Sequence, residues 1–251
     1  MRIDFPRPDQ VPQLRRLWQL AFGDSAAFID QFFGTGYAPE RCRCVTVDGQ
    51  AAAALYWFDV SCEGQKMAYI YAVATHPDCR GKGLCRALME DTHALLVSQG
   101  YAAGLLVPDG DSLRRMYAKL GYRDCSNVSE FTCAAGEAVP VRAVAVEEYA
   151  ALRRKLLPDV GVVQEGENLS YLESYARFYA GTDFLLAAVP DGEALYGAEL
   201  LGNRDAAPGI LRALGYASGR FRSPGDDVAF AMFRPLIPDA KPPRYLGLAF
   251  D

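Results

Sequence analysis

The chain is poor in the residues that hold metal ions. It has two histidines, His76 and His93, and its seven cysteines include no C-x-x-C pair. Cys42 and Cys44 are one residue apart, but no second pair or histidine cluster completes a ligand set. Structural metal sites need more ligands than that. We therefore predict reduced thiols and no bound metal.

A long apolar segment is also missing. Nowhere do eighteen apolar residues run together, and residues 1–6 contain no apolar stretch of the kind that signal peptides carry. Both absences predict a protein of the cytoplasm that does not enter a membrane. The contents of hydrophobic residues (51%) and charged residues (23%) favour an ordinary globular fold.

Positive charge is scarce relative to negative charge. Lys and Arg number 26 against 31 Asp and Glu, which gives a net charge of −5 and a pI near 5.2. Proteins that bind a nucleic acid backbone carry broad basic surfaces, so we expect no nucleic acid partner. The 251 residues suffice for one large domain or two small ones.

What the chain does have is a strand, a basic glycine loop and a helix in direct succession. Aromatic and other apolar residues from Tyr69 to Val73 predict a buried strand, and Pro77 ends it. Residues 80–83, Arg-Gly-Lys-Gly, then open a helix whose apolar residues recur at helical spacing. Backbone N–H groups, the helix dipole and two cationic side chains together favour an anion here.

The glycine spacing narrows the choice of anion. A dinucleotide site needs G-x-G-x-x-G and a nucleotide-hydrolase loop needs G-K-[ST]; the run after Gly81 fits neither. The run from Arg80 to Cys85 resembles instead the R/Q-x-x-G-x-G/A loop of the GNAT superfamily of N-acetyltransferases. One departure is Cys85, where that family prefers Gly or Ala. Because cysteine is small, we expect some crowding rather than loss of binding.

In the GNAT family this loop holds the pyrophosphate of acetyl-coenzyme A (acetyl-CoA), and the preceding strand end pairs with the pantetheine arm. The resemblance therefore implies acetyl-CoA as the cosubstrate. The residues implied to bind it are Val73, Ala74, Thr75, Arg80, Gly81, Lys82, Gly83, Leu84, Cys85 and Arg86. Without the resemblance, the same loop is a glycine-containing turn between a strand and a helix.

A second resemblance to the family follows about thirty residues on. The next predicted helix ends in Tyr117, Lys119, Gly121 and Tyr122, which match the x-Y-x-K-x-G-[FY] signature. In many relatives the first tyrosine protonates the departing thiolate, so the resemblance implies Tyr117 as the general acid. The family often has Asn where this chain has Gly110, which removes one expected cofactor contact. The alternative is that Tyr117 is an ordinary core residue.

The order of predicted elements is similar to that of the acetyltransferase fold. It runs strand, two helices, three strands, helix, strand, helix, with the hairpin signal Asp48-Gly49 between two of the strands. We therefore predict an α/β (α+β) fold with a mixed central sheet flanked by helices. The resemblance covers residues 1–135.

The rest of the chain repeats parts of this first half. Leu152-Arg153-Arg154 echoes Leu14-Arg15-Arg16, and Leu214-Gly215-Tyr216 echoes Leu120-Gly121-Tyr122. No R-x-x-G-x-G loop lies between Thr182 and Arg212, and Leu211 stands where the tyrosine would be. The repeat is thus incomplete at the two places that carry the chemistry.

This pattern predicts a tandem arrangement of two domains. Residues 1–135 would form a catalytic GNAT domain, and residues 136–251 a shortened, degenerate GNAT-like domain without the coenzyme A loop. The alternative for the second half is an unrelated α+β domain of similar size.

The resemblance implies an N-acetyltransferase that acts on a primary amine of a small molecule or peptide. The acetyl group would move by direct attack in a ternary complex. Two alternatives stay open: a non-catalytic module that senses acyl-CoA, and a scaffold in which the glycine loop is accidental. The sequence also leaves a homodimer open.

No general base is visible on the predicted strand before the loop. Asp59 and Glu63 flank the preceding turn, and His76 ends the strand in a position typical of surface residues. We expect the base to be a water chain or a group from the second half. Four aromatic residues could line an acceptor pocket or simply form the core: Tyr56, Trp57, Tyr69 and Tyr71.

Overall fold

The computed structural model describes residues 1–250, which form two compact units. Unit 1 comprises Met1–Arg123 and Met232–Lys241, and unit 2 comprises Asp124–Ala231 and the chain end from Pro242. This division falls at residue 123 rather than at the predicted residue 135, and it returns a C-terminal segment to unit 1. Within residues 1–250, no helix is both long and apolar enough to cross a membrane.

In unit 1 the elements follow the predicted order. They are β1 (Arg2–Asp4), α1 (Val11–Phe22), α2 (Ala26–Thr35), β2 (Cys42–Val47), β3 (Gln50–Cys62), β4 (Gln65–Thr75), α3 (Leu84–Ser98), β5 (Ala103–Leu106) and α4 (Gly110–Ala118). The strands lie in the order β1-β2-β3-β4-β5 and are antiparallel except for the pair β4–β5. The predicted mixed sheet flanked by helices is confirmed.

Short-range signals set the ends of these elements. The β2–β3 hairpin turns at Asp48 and Gly49, whose φ angles of 48° and 79° suit a tight turn between twisted strands. Helix α1 ends at Gly23, which adopts a φ of 77° as a left-handed C-terminal cap. Ser25 begins α2 by accepting a hydrogen bond from the Phe28 amide.

Strands β3 and β4 bury different side chains on their two faces. Leu55, Trp57 and Ile70 belong to the core that α3 and α4 cover. On the other face, aromatic side chains of the two strands pack against aromatic side chains of α1 and α2. We call this group the aromatic cluster: Trp18, Phe32, Phe33, Tyr37, Tyr56, Phe58 and Tyr71.

Unit 2 is a second mixed sheet with helices. Its elements are β6 (Arg123–Ala134), β7 (Arg142–Ala143), α5 (Val146–Leu156), α6 (Glu167–Glu173), β8 (Arg177–Ala180), β9 (Phe184–Asp191), β10 (Ala194–Gly202), α7 (Ala207–Leu214) and β11 (Ser218–Pro224). A last strand, β12 (Val228–Pro235), ends in unit 1. The strand order of unit 2 is β6-β11-β10-β9-β8-β7.

The strand pairing of unit 2 repeats that of unit 1. Strands β7 to β10 are joined by antiparallel pairs and β10–β11 is parallel, as β1 to β4 are antiparallel and β4–β5 is parallel. Each sheet gains an antiparallel sixth strand, β6 beside β11 and residues 232–235 of β12 beside β5. The two halves have thus exchanged their last strands. This is why the division falls at the start of β6, after Arg123.

Candidate active site

Strand β4 carries a β-bulge at Ala72 and Val73. The residues on either side pair regularly with β3, so two residues of β4 oppose Leu55 alone. Ala72 has a φ of 46°, in the left-handed region that residues other than glycine rarely adopt. A bulge takes backbone groups out of the ladder, and strained backbone of this kind is held in place by the surrounding packing.

Beyond its first residues, β4 leaves β5. The parallel pair is formed by Met67, Ala68 and Tyr69 of β4 only, although β5 is the neighbour of β4 on that edge. In the described part of the chain, the remaining edge of β4 up to Thr75 has no strand partner on this side. Backbone groups on such an edge need other partners. An extended ligand can therefore lie against β4 as an added strand would.

The glycine loop follows this open edge directly. Gly81 and Gly83 have φ angles of 75° and 79°, and Gly83 immediately precedes Leu84, the first residue of α3. A Cβ added to either glycine would have no atom of residues 1–250 within 4 Å. The backbone of the loop is therefore accessible, and the amide groups at the start of α3 can bind an anion.

The cationic side chains of the loop are exposed and bound only locally. Arg80 Nε donates to the Thr75 carbonyl oxygen at 3.3 Å, and Lys82 Nζ donates to the Asp78 carbonyl oxygen at 2.9 Å. Arg86 forms an ion pair one turn further along α3. These contacts are weak enough for an incoming anion to replace them, since exposed polar contacts contribute little.

Leu84 and Cys85 face inward from the start of α3. Leu84 is buried, and the Cys85 side chain packs against the same core. Burial raises the pKa of the Cys85 thiol. The cysteine that departs from the family pattern therefore fills core space and is held in its protonated form.

Tyr117 lies on α4 in the core that also contains Leu84. Its side chain is buried, and its ring meets that of Tyr122 edge-on at 5.8 Å between centroids. Burial, and then the nearby Cys85, raise the pKa of the Tyr117 phenol well above its usual value. The hydroxyl therefore keeps its proton and is a hydrogen-bond donor at any physiological pH.

The first half of the chain matches a protein-family model described as the acetyltransferase (GNAT) domain. The match covers residues 2–125, which include the open edge of β4, the glycine loop and Tyr117. Residues 2–125 therefore form a domain of the GNAT superfamily. Members of that family bind acyl-CoA and transfer its acyl group. The loop residues predicted to bind the cofactor lie within the domain that matches this family.

Solved GNAT structures resemble the chain along most of its length. The GCN5-related N-acetyltransferases from Kribbella flavida and Anabaena variabilis are 18% and 16% identical, each with a TM-score of 0.72. The match covers 93% and 94% of this chain, and 70% and 73% of those chains. A GCN5-related N-acetyltransferase from Sphaerobacter thermophilus is 14% identical with a TM-score of 0.56, covering 99% of this chain and 98% of its own. No curated protein matches the chain significantly. At these identities the shared property is the fold.

The GNAT domain of this chain also contains a buried histidine, which contacts Tyr122, the neighbour of Tyr117. His93 Nε2 lies 2.8 Å from the Tyr122 hydroxyl, and Arg234 Nη1 lies 2.8 Å from His93 Nδ1. A guanidinium can only donate, so Nδ1 accepts and Nε2 carries the hydrogen that points to Tyr122. Burial, with the nearby Arg234 charge, lowers the pKa of His93 to about 3. His93 is therefore a neutral structural residue.

This histidine gives a prediction for the pH dependence of stability. The unfolded chain takes up a proton near the ordinary pKa of 6.5, whereas the folded chain does so only near 3. The contribution of His93 is thus present above pH 6.5 and is lost as the pH falls toward 3. From pH 7 to pH 5, it should lower the free energy of unfolding by about 2 kcal/mol.

The measurement is urea unfolding at several pH values for the wild type and for His93→Gln. Carboxylates contribute a similar slope to both proteins, so the difference between the two slopes isolates His93. Equal slopes would show that His93 titrates alike in the folded and unfolded chain.

The three acidic or basic groups considered as general base lie away from the bulge. Asp59 accepts a hydrogen bond from the Tyr101 hydroxyl, near the first residues of β4. Glu63 lies in the β3–β4 turn and pairs with Lys241. His76 accepts a hydrogen bond through Nδ1 in the turn that follows β4. None of these three contacts is with Ala72 or Val73.

The four aromatic residues considered for an acceptor pocket do not share one face. Tyr56, Tyr69 and Tyr71 lie on the side of the aromatic cluster. Trp57 lies on the opposite face, in the core, where its Nε1 donates to the Tyr101 hydroxyl at 3.2 Å. Trp57 is therefore a core residue, and only the other three lie on the face with the aromatic cluster.

Proposed function

We propose that the chain is an acetyl-CoA-dependent N-acetyltransferase. It would transfer the acetyl group to a primary amine of a small molecule or peptide, by direct attack in a ternary complex. The observation that carries the proposal is the divergence of β4 from β5 beside the loop of Gly81 and Gly83. Membership of the GNAT superfamily supports acyl transfer from acyl-CoA.

The backbone would do most of the binding. The amide groups from Gly81 to Leu84 would hold the pyrophosphate, because the accessible glycines let it approach the helix start closely. The open edge of β4 from Val73 to Thr75 would pair with the pantetheine arm. Bound acetyl-CoA supplies the activated thioester. Amide groups at the Ala72 bulge, held out of the ladder, would donate hydrogen bonds to its oxygen.

Tyr117 would act on the sulfur. Because burial raises the pKa of its phenol, Tyr117 stays protonated and can donate a hydrogen bond, and then its proton, to the departing thiolate. The thioester C–S bond would break as the amine nitrogen bonds to the acetyl carbon, and the sulfur would take the Tyr117 proton. The proton that the amine nitrogen loses would pass through water and restore the Tyr117 phenol.

The acceptor would lie on the aromatic-cluster side of β4. Tyr71 is partly exposed there, and aromatic rings attract a cationic amine.

For the second half we propose a degenerate GNAT-like domain over residues 136–251, to which β6 adds a strand. The repeated pairing pattern supports this, and so does a bulge in β10 between Gly197 and Glu199, comparable to the one in β4. In unit 2 the Glu199 side chain at this bulge is buried and bound by Arg153. Leu211 is fully buried in place of the tyrosine.

The first test is a calorimetric titration of the whole chain with acetyl-CoA. We expect micromolar binding, about −8 kcal/mol, and a dissociation constant at least about a hundredfold higher for Gly83→Val. The valine Cβ would enter the accessible space of the loop, and a β-branched residue disfavours the φ of 79°. Both effects remove the anion site.

A matched control separates binding from backbone strain. Gly23→Val introduces the same residue at a φ of 77°, also with no atom of residues 1–250 within 4 Å, but at the end of α1. It should unfold more easily and bind acetyl-CoA as the wild type does. Equal loss in both variants would mean that strain alone weakens binding.

The outcomes of the titration also decide between the open alternatives. Binding followed by release of coenzyme A thiol with polyamines, aminoglycosides, arylalkylamines or peptides supports the enzyme. Binding without thiol release over that panel would favour the acyl-CoA sensor. If the wild type does not bind acetyl-CoA at millimolar concentration, the result would favour the scaffold, in which the glycine loop is accidental.

A further inference from the structure

Arg234 joins the end of β12 to the helix that carries Tyr117. Its Nη1 donates to the Leu120 carbonyl oxygen at 2.6 Å and to His93 Nδ1 at 2.8 Å. The Leu120 carbonyl lies in the turn that ends α4, where backbone oxygens have no partner within the helix. One guanidinium nitrogen therefore ties the end of α4 to the middle of α3.

From His93 the chain of contacts continues to Tyr117. His93 Nε2 donates to the Tyr122 hydroxyl at 2.8 Å, and the Tyr122 ring packs edge-on against Tyr117. Tyr122 is also closely packed against β5. A Cβ added to Gly104 of that strand would lie 2.9 Å from the Tyr122 hydroxyl. The Tyr117 ring thus rests on a ring whose own position is fixed.

We infer that Arg234 is a positioning residue for Tyr117: through Leu120 and through His93 and Tyr122, it holds the phenol of α4 in place. This inference rests on the proposed role of Tyr117 as the acid. Arg234 belongs to the segment Met232–Lys241, which lies between the two parts of unit 2 in the chain but is part of unit 1. The acid of the first half therefore depends on a side chain near the end of the second.

The distinguishing property of a positioning residue is its effect on turnover rather than on cofactor affinity. Arg234→Met removes both hydrogen bonds and should lower kcat by about tenfold to a hundredfold, the range expected when a catalytic group is displaced by about 1 Å. The KM for acetyl-CoA should change less than about twofold, because the loop is untouched. Arg234→Lys keeps a charged donor within reach and should restore most of kcat.

Arg43→Met is the matched control. Arg43 is a buried arginine of the same unit, and its Nη2 binds the Asp91 carboxylate of α3 at 2.5 Å rather than a group of α4. This variant should lose stability as Arg234→Met does but keep kcat. Were Arg234→Met to fold too poorly for assay, Tyr122→Phe serves instead. It breaks only the hydrogen bond to His93 and should lower kcat by about threefold to tenfold.

A second readout needs no acceptor amine. In protein labelled with ¹³C at the tyrosine ring, Tyr117→Phe identifies the Tyr117 signal, and coenzyme A alone is the probe. We expect coenzyme A to shift this signal in the wild type and in Arg43→Met, and to shift it less in Arg234→Met. Equal shifts in the three proteins, together with equal kcat, overturn the inference.

The same set of variants separates this inference from the proposed function. If Tyr117→Phe has the kcat of the wild type, the acid assignment fails and the role of Arg234 fails with it. If Tyr117→Phe is slow while Arg234→Met and Tyr122→Phe are normal, only the positioning role is wrong.

Discussion

Tyr117→Phe is expected to lower kcat by about a hundredfold to ten-thousandfold, the usual contribution of a general acid. The substitution removes the hydroxyl and keeps the ring, which packs against Tyr122 in a buried site. Folding and cofactor binding should therefore be preserved, with little change in the KM for acetyl-CoA. The measurement is initial-rate release of coenzyme A thiol with the best amine of the panel.

Tyr101→Phe is the matched control for this variant. Tyr101 is another buried tyrosine of unit 1, and its hydroxyl donates to Asp59 and accepts from Trp57. Losing that hydroxyl should lower stability, because the buried Trp57 and the partly exposed Asp59 each lose a bond, and leave kcat within about twofold. A Tyr117→Phe enzyme no slower than Tyr101→Phe would remove Tyr117 from the mechanism.

The pH profile tests the same assignment from another direction. The protonated phenol is the active form of an acid, and burial raises its pKa, so this form persists to higher pH than a free tyrosine would allow. We therefore expect no loss of wild-type kcat from Tyr117 between pH 7 and about pH 10. An alkaline limb near pH 9 that disappears in Tyr117→Phe would contradict the buried site described here.

The parts of the site that the sequence predicts are those set by short stretches of chain. The strand before Pro77, the loop with Gly81 and Gly83, and the helix from Leu84 are all where the local pattern places them. Glycine spacing, a proline and helical periodicity act over a few residues, so one sequence suffices to recognise them. The same is true of the helix that carries Tyr117.

What the sequence did not predict depends on contacts between distant residues. The bulge at Ala72 arises from the register of β4 against β3, and an alanine between Tyr71 and Val73 gives no local signal of it. The bond between His93 and Arg234 joins residues 141 positions apart. Neither residue lies in a motif, so only the folded chain shows that they meet.

The exchange of last strands has the same cause. Strand β6 follows α4 directly, and the predicted boundary at residue 135 assigns it to the first half, yet its residues from Val128 to Ala134 pair with β11. Alternation of apolar residues predicts a strand but does not identify its neighbour. Because both halves pair their strands alike, either sheet offers a similar edge for the last strand.

The largest effect on stability is expected from Glu199→Ala, which should lower the free energy of unfolding of unit 2 by about 3–5 kcal/mol. The carboxylate is fully buried and accepts bonds from Arg153 Nε at 2.7 Å and Nη2 at 2.9 Å. The hydroxyls of Tyr149 and Tyr245 donate to it at 2.9 and 3.2 Å. Alanine would leave the buried Arg153 charge uncompensated. Both tryptophans lie in unit 1, so urea unfolding should be followed by hydrogen exchange in peptides of β9 and β10.

A surface pair and a double variant show whether burial is the reason. Glu165→Ala breaks the exposed pair with Arg154 and should lower stability by less than about 1 kcal/mol. In Arg153→Met/Glu199→Met no charge is left buried, so the loss should be smaller than that of Glu199→Ala alone. Two results would contradict this explanation. One is a similar loss of stability in Glu199→Ala and Glu165→Ala. The other is a double variant that is as unstable as the sum of its two single changes. The expected result would show that this buried pair stabilises the sheet of unit 2.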